Sequence, residues 1–437
     1  MKNQFLNITF LTSTIIFAAC GNSNSQTTPA VTVKTGIGNT ISLPAADTQA
    51  SKTNFSKVVG WPEGQTPIAP AGFVVTKFAE GMKSPRNIVV APNGDIIVVL
   101  SNSQRTKVEQ IANEISGKAK SEVQGKSVNA ILLFRDANKD GKPELITTFL
   151  AGLNQPYGAA FIGNSFYVAN TDGIWMYPYK SGDTQITGEG KKILVLPAGG
   201  YNNHWTRNLI VKPDQSKLYV SVGSGSNVAE KGLDNEIRRA NIIEINPDGT
   251  GEKIYGSGLR NPVGMAWAPG TNTLWTAVNE RDGLGDDLVP DYITSVKEGA
   301  FYGWPFSYFG QNEDPRLKGQ APDLVAKALV PDIPVGSHTA SLGLAFYTAK
   351  KFPSKYQGGV FIGQHGSWNR SELVGYKVAF IPFKNGKPTG KMEDFLTGFI
   401  KNEKEVYGKP VGVAVAQDGA LLVADDVSGI IWRVAAK

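Results

Sequence analysis

The chain has one cysteine and three histidines in 437 residues. With Cys20 as the only thiol, no intramolecular disulfide can form. No run of Lys or Arg occurs, and 44 basic against 38 acidic residues give a mild net charge of +6, so nucleic acid is not an expected partner. A long hydrophobic run is also missing. The most apolar stretch, Phe5 to Ala19, is short and broken by Asn7, Thr9, Thr12, Ser13 and Thr14, which argues against a membrane span. There is no Gly-rich dinucleotide fingerprint, so a redox activity would need another bound cofactor.

Lys2 precedes that apolar stretch, which ends in Phe17-Ala18-Ala19-Cys20-Gly21. Small residues before a lone cysteine resemble a bacterial lipobox, with Phe where Leu is usual. The expectation is a lipoprotein signal over residues 1–20, a lipidated Cys20, and a periplasm-facing protein anchored to the cell envelope (the outer membrane in a Gram-negative cell). Contact with the membrane is expected only through that lipid. An ordinary secretory signal with an incidental cysteine is the alternative. Residues 21–55, rich in Ser, Thr, Asn, Gln and Ala, read as a disordered tether, and residues 56–437 as one folded domain.

Glycine and proline are plentiful, 49 and 25 residues, as in turn-rich β proteins. One phrase recurs six times: a polar or Pro lead, an apolar strand, a Pro/Asn/Asp/Gly turn, and a second apolar strand. The copies run from Ser84, Gln155, Thr206, Asn261, Ala340 and Lys409. Such units cover their faces only by stacking on neighbours, which predicts an all-β, six-bladed β-propeller with its site around the central channel. Copies start 71, 51, 55, 79 and 69 residues apart, so long loops are inserted. Phe73–Phe78 reads as a first strand that closes the ring against the last copy, removing a free edge. Val108–Lys120 is the best candidate for a helix on an insertion.

Asp136-Ala-Asn-Lys-Asp140-Gly141-Lys-Pro-Glu144 opens like a calcium loop, but its twelfth position is Thr147 rather than Glu. A hairpin turn capped by side-chain oxygens is the competing reading. His204, in Asn202-Asn203-His204-Trp205-Thr206-Arg207, precedes a strand at the channel and suits a general base. His365, just past a strand, is a ligand-contact candidate, and His338 a weaker one. Arg260 and Asn261 place a guanidinium and an amide at the start of the fourth copy. Asn279 to Asp287 offers acidic side chains and Gly-exposed carbonyls, a candidate calcium loop.

In this order, SPRNIVVAPNGD, NNHWTRNL, GLRNPVGMAW, VNERDGLGDDLVPDYI, GAFYGWPFSYFG, GQHGSWNR and KPVGVAVAQDG resemble the pyrroloquinoline-quinone (PQQ) dependent sugar and sorbosone dehydrogenases. The resemblance covers nearly all of Phe73 to Val434. It implies a six-bladed propeller with PQQ at the channel mouth and a Ca2+ that polarises its quinone. It further implies His204 as general base, Arg260 beside the quinone oxygens, and Asn261 as its neighbour in the cofactor site. Main-chain carbonyls of Glu280-Arg281-Asp282 would bind the calcium, with Asp287 stiffening that loop. Arg370, Arg207 and His365 are the candidates to surround the PQQ carboxylates. A sugar or sugar aldehyde would be the substrate, and a quinone or cytochrome the electron acceptor. One departure stands out. Where the glucose dehydrogenase branch places an Asp that orients the base, this chain reads Gly223-Ser224-Gly225-Ser226-Asn227. Two rivals remain: a calcium-dependent propeller lactonase, and a non-catalytic glycan- or protein-binding lipoprotein.

Overall fold

The computed structural model describes residues 30–49, 52–123 and 125–437. Cys20 and the expected signal segment lie outside the described residues. The fold is all-β and propeller-like. Each repeat copy supplies the first two strands of one antiparallel sheet, and six such sheets follow one another along the chain. Sheet I holds Pro85–Val90, Ile96–Leu100, Ala130–Arg135 and Leu145–Leu150; sheet II, Gly158–Ile162, Ser165–Asn170, Gly173–Pro178 and Lys191–Val195; sheet III, Arg207–Val211, Leu218–Val222, Asn241–Ile245 and Lys253–Ser257, with the short Ala300–Phe301 added parallel to the last. Sheet IV holds Asn261–Trp267, Leu274–Asn279, Pro290–Ser295 and Ile333–Ser337; sheet V, Ser341–Phe346, Val360–Gln364, Lys377–Ile381 and Glu393–Leu396. Sheet VI joins Pro410–Val415, Leu421–Asp425 and Ile430–Ala436 to Phe73–Ala79, so the first long strand pairs with the last, Ala436 opposite Phe73.

Both faces of each sheet are buried, which explains why second strands read as unbroken apolar runs such as Ile96-Ile-Val-Val-Leu100. Ile97 and Val99 point into a core shared with sheet II, while Ile96 and Val98 point into a core shared with sheet VI. Each aliphatic side chain so buried contributes about 1.5–3 kcal/mol.

One position in each first strand sets the spacing of neighbours. A Cβ on Gly158 would come within 2.3 Å of the Leu209 nitrogen, and one on Gly264 within 2.7 Å of the Leu344 Cβ. Likewise one on Gly343 would meet the Val411 carbonyl at 2.1 Å, and one on Gly412 the Arg86 carbonyl at 2.9 Å. At the two remaining junctions the position is Asn, and its amide bridges the gap. Asn87 Nδ2 donates to Tyr157 O at 3.0 Å and Asn208 Nδ2 to Val263 O at 2.7 Å. Sheets I to VI are thereby joined in a closed cycle.

The expected helix is α1 (Lys107–Ser116), with a Thr106/Glu109 capping box and a left-handed Gly117 after it, followed by a 3-10 turn at Lys118–Ser121. The tether expectation fails where it can be seen. Val31–Lys34 and Thr40–Leu43 pair as a hairpin. Leu43 is buried, and Val33, Ile41 and Ala46 pack on the core between sheets III and IV. Asp47 N donates to Leu284 O. Bulk composition is polar here, yet Val31, Val33, Ile41 and Leu43 alternate with polar residues across a Gly-containing turn, which is a strand signal.

Candidate functional site

The mouth of the ring is lined in register. Five of the six first strands begin at it: Ser84, Thr206, Asn261, Ala340 and Lys409 all border a central cavity of about 240 Å3. Residues just past second strands do the same, including Asn102, His365 and Asp426. An adjoining hollow shares His204, Asn261, Lys118 and Trp368 with this cavity and adds Arg260, Asn279, Glu280, Asp282, Asp291 and His338. His204, Arg260, Asn261, Glu280, Asp282 and His365 are therefore brought together.

His204 is half-buried. Its Nδ1 lies 3.0 Å from Ser224 O and 2.9 Å from Ser224 Oγ, whose own hydrogen goes to Ser226 O. A carbonyl only accepts, so Nδ1 carries the proton and the Nε2 lone pair is free. Among the described residues Nε2 has no hydrogen-bond partner. Burial, and then the charge of Arg260, hold the imidazole pKa well below its ordinary 6.5. Where the departure was noted in the sequence, a main-chain carbonyl and a hydroxyl orient the His204 imidazole. Gly223 permits this packing, since a Cβ there would lie 2.7 Å from His204 Cβ and 2.4 Å from Asn261 Oδ1. Asn261 Oδ1 is buried and has no hydrogen-bond partner among the described residues.

Arg260 is held by four protein acceptors. It donates to Asn227 O at 3.0 Å, Asn227 Oδ1 at 2.8 Å, Asn279 O at 3.1 Å and Glu280 O at 2.6 Å. The side chain thereby pins the turn proposed from sequence as the calcium loop. Asp291, which sequence reasoning missed, accepts from Glu280 N at 2.9 Å, so three carboxylates share this wall. Burial pushes Glu280 up to about 7 and Asp291 up to about 6. Burial also opposes ionisation of Asp282, but the His338 hydrogen bond and Arg260 hold its pKa below the usual value. His338 faces acceptors on both sides, Asp282 Oδ1 at 3.2 Å and Gly285 O at 2.9 Å. It is a fixed imidazolium rather than a base.

The opposite wall is aromatic and carries Arg86, Lys118 and Lys409 against the carboxylates of Asp426 and Glu122, the last 3.5 Å from Lys118 Nζ. Arg86 Nη1 donates to Asp426 Oδ2 at 2.6 Å, and His365 Nε2 lies 3.0 Å from Asp426 Oδ1. Lys409, buried, donates from Nζ to Ser121 O and Oγ, both at 2.8 Å; burial lowers its pKa to about 8. Lys118 Nζ sits 5.5 Å from the Trp368 ring centroid, and Phe55 stacks on that ring at 5.7 Å. Arg86 lies over Trp205 at 5.7 Å.

Several expected site residues point elsewhere. Arg207 is fully buried and donates to His204 O, Thr206 O, Pro197 O and Asn202 Oδ1. It holds the His204 loop from behind and does not line the cavity. Arg370 pairs at 3.5 Å with Asp287, whose side chain is 74% exposed, so both sit outside the cavity lining. Arg281, expected to contribute only its main-chain carbonyl, turns its guanidinium to Asp314, with Nε 3.3 Å from Oδ2. Asp136, Asp140 and Glu144 bring carboxylate oxygens within 4.8 Å of one another. There they cap main-chain N–H groups of Ala137, Asp140, Gly141 and Lys142 in a turn between the third and fourth strands of sheet I. Arg86, Lys118, Lys409 and Asp426 were missed. The repeat register would have found Lys409 and Asp426, being one residue before a first strand and one after a second.

Two family profiles match the chain. The one described as glucose/sorbosone dehydrogenase matches residues 180–433, and a TrAA12-like profile matches residues 67–290. An uncharacterized protein of Borreliella burgdorferi is 27% identical over 373 residues, 83% of this chain and 94% of the relative. The aldose sugar dehydrogenase YliI of Escherichia coli is 36% identical over 123 residues, 27% of this chain and 30% of the relative. A pyrroloquinoline quinone-dependent pyranose dehydrogenase of Coprinopsis cinerea is 24% identical over 430 residues, covering 83% of this chain and 54% of the relative. The chain therefore spans about half of that enzyme. The holo PQQ domain of C. cinerea pyranose dehydrogenase superposes with a TM-score of 0.67 at 20% identity, covering 87% of this chain and 100% of the domain. A calcium structure of Trichoderma reesei family AA12 gives 0.69 at 18% identity, covering 88% and 100%. At these identities the two structures speak for the fold alone.

Proposed function

The chain belongs to the glucose/sorbosone dehydrogenase family, and on that premise we propose that it is a PQQ- and Ca2+-dependent oxidoreductase of a sugar or sugar aldehyde, built as a six-bladed propeller and anchored through Cys20. One observation carries the reading: a neutral His204 with Nδ1–H fixed on Ser224 and Nε2 free in a cavity whose far wall is cationic. The residues suit the proposed cofactor. A planar molecule with three carboxylates calls for Arg86, Lys118 and Lys409 as counter-charges and for Trp205, Trp368 and Phe55 as flat apolar cover. The unpaired Asn261 Oδ1 awaits a donor. The carboxylates of Glu280, Asp282 and Asp291 are the hard oxygens a Ca2+ takes, while the carbonyls of Asn279 and Glu280 already accept from Arg260.

When bound, PQQ supplies a two-electron acceptor for the hydride of the substrate C–H. His204 Nε2 takes the proton of the hydroxyl being oxidised. Ser224 keeps the imidazole in the tautomer that can accept it, and Arg207 fixes the His204 main chain. Arg260 supports the acidic wall and lends positive charge beside the reacting groups. Phe55 and Trp368 keep water from the mouth. The electron acceptor, a quinone or a cytochrome, would approach from that end.

The test is reconstitution with PQQ and Ca2+, following dye reduction over aldoses, sorbosone and sugar alcohols. Turnover that requires both additions supports the reading. Turnover of lactones in Ca2+ alone would favour the hydrolase instead.

A further inference from the structure

The insertion between the second and third strands of sheet I carries α1, and α1 buries nothing. Val108, Ile111 and Ile115 are 77, 57 and 84% exposed, and no residue of the helix is buried. With Ala112 they stand at i, i+3, i+4 and i+7, one continuous aliphatic stripe. Glu109, Gln110, Asn113 and Glu114 occupy the opposite face. A ten-residue helix is marginal in water on its own, and this one is fully capped yet has its apolar side unpartnered among the described residues. Arg105, Lys107, Lys118, Lys120 and Lys126 flank it against three carboxylates, Glu109, Glu114 and Glu122.

The rest of the chain says what covers the stripe. Lys118, two residues past α1, lines the cavity, so the helix sits at the mouth end. The N-terminal segment passes over the same end. Asp47 N bonds Leu284 O beside the acidic turn, Asn54 N bonds Trp368 O, and Phe55 stacks on the indole that carries Lys118. Lys57–Val58 then packs against the 3-10 turn that follows α1. The 29 residues before Ala30 hold the apolar Phe5–Ala19 stretch and Cys20. Ten residues between Cys20 and residue 30 reach at most about 35 Å, too little to carry the mouth far from a bilayer that holds Cys20.

We propose that α1 is a second membrane contact: its Val108, Ile111, Ala112 and Ile115 stripe lies in the interfacial layer of a lipid bilayer and turns the mouth of the ring toward the lipid surface. One shallow apolar helix binds weakly and reversibly, whereas two signals together hold a protein in place and in one orientation. The flanking lysines favour anionic headgroups. The inference rests on the proposed lipid anchor at Cys20 and not on the chemistry, so it stands if the dehydrogenase reading fails.

The experiment uses the full chain with vesicles of phosphatidylcholine and phosphatidylglycerol. Hydrogen exchange of the amides of residues 107–116 is followed with and without vesicles. A variant with Val108→Ser, Ile111→Ser and Ile115→Ser is run alongside; its side chains are exposed, so melting should confirm an intact ring. The expected result is at least ~10-fold slower exchange of these amides on vesicles, lost in the variant, with ~10-fold weaker partitioning of the variant. Exchange unchanged on vesicles that carry the protein would mean anchoring by the N-terminus alone and would overturn the proposal. So would protection that appears without lipid as protein concentration rises, which would assign the stripe to a second copy of the chain.

Discussion

Gly223→Ala tests the packing behind the base. Gly223 does not need the left-handed backbone, so alanine is conformationally allowed and the effect is one of space. The new methyl would start 2.7 Å from His204 Cβ and 2.4 Å from Asn261 Oδ1, where ordinary contacts begin at 3.4 Å. Because Cβ cannot swing about a side-chain torsion, the His204 backbone must move by at least about 0.7 Å, a displacement of the size that costs up to ~100-fold in rate. The strain itself should cost about 1–3 kcal/mol of stability. In the reconstituted dye-linked assay, kcat/KM should fall between ~10- and ~100-fold while PQQ still binds. Thermal melting separates this from unfolding. A variant with wild-type kcat/KM and melting temperature would refute the account of how His204 is placed.

Other expectations follow from the same geometry. Lys409, with its pKa lowered to about 8 by burial, holds an anionic cofactor only while protonated, so PQQ affinity should fall as pH rises through about 8. Lys409→Met should weaken binding by ~10-fold or more and flatten that pH profile, both read by fluorescence titration. Arg207→Lys should lower kcat but leave the PQQ Kd unchanged, because Arg207 grips the His204 loop and not the cavity; a large change in Kd would restore it to the cofactor site. Asn208→Ala removes the bridge to Val263 O and should cost about 1–3 kcal/mol, seen as a lower melting temperature with kcat retained.

Much of the architecture was legible because it is repetitive. Second strands buried on both faces read as aliphatic runs, and each turn carries its Gly, Asn or Asp. The same register located the mouth, although the meaning of Gly158, Gly264, Gly343 and Gly412 against Asn87 and Asn208 emerges only when neighbouring sheets are seen in contact. His204, Arg260 and Asn261 came from motif strings, and they do meet at one cavity. Charge alone misled. Arg207 and Arg370 sit next to the right motifs, but alternation along a strand sends Arg207 behind the site, and Arg370 finds Asp287 at the rim. Lys118 could not be placed from sequence because it lies on an insertion whose path over the mouth depends on Trp368 and Phe55, distant in sequence. The hairpin at 31–43 was hidden by averaging composition over a segment whose alternation is short.

The most direct measurement is a single-turnover experiment. PQQ is loaded stoichiometrically in Ca2+, excess sugar is mixed in, and the absorbance change of cofactor reduction is followed in wild type and in His204→Ala. The account predicts stoichiometric PQQ binding by both proteins, reduction in the wild type, and reduction at least ~100-fold slower in the variant. Equal rates in the two proteins, or no PQQ bound by either, would contradict it.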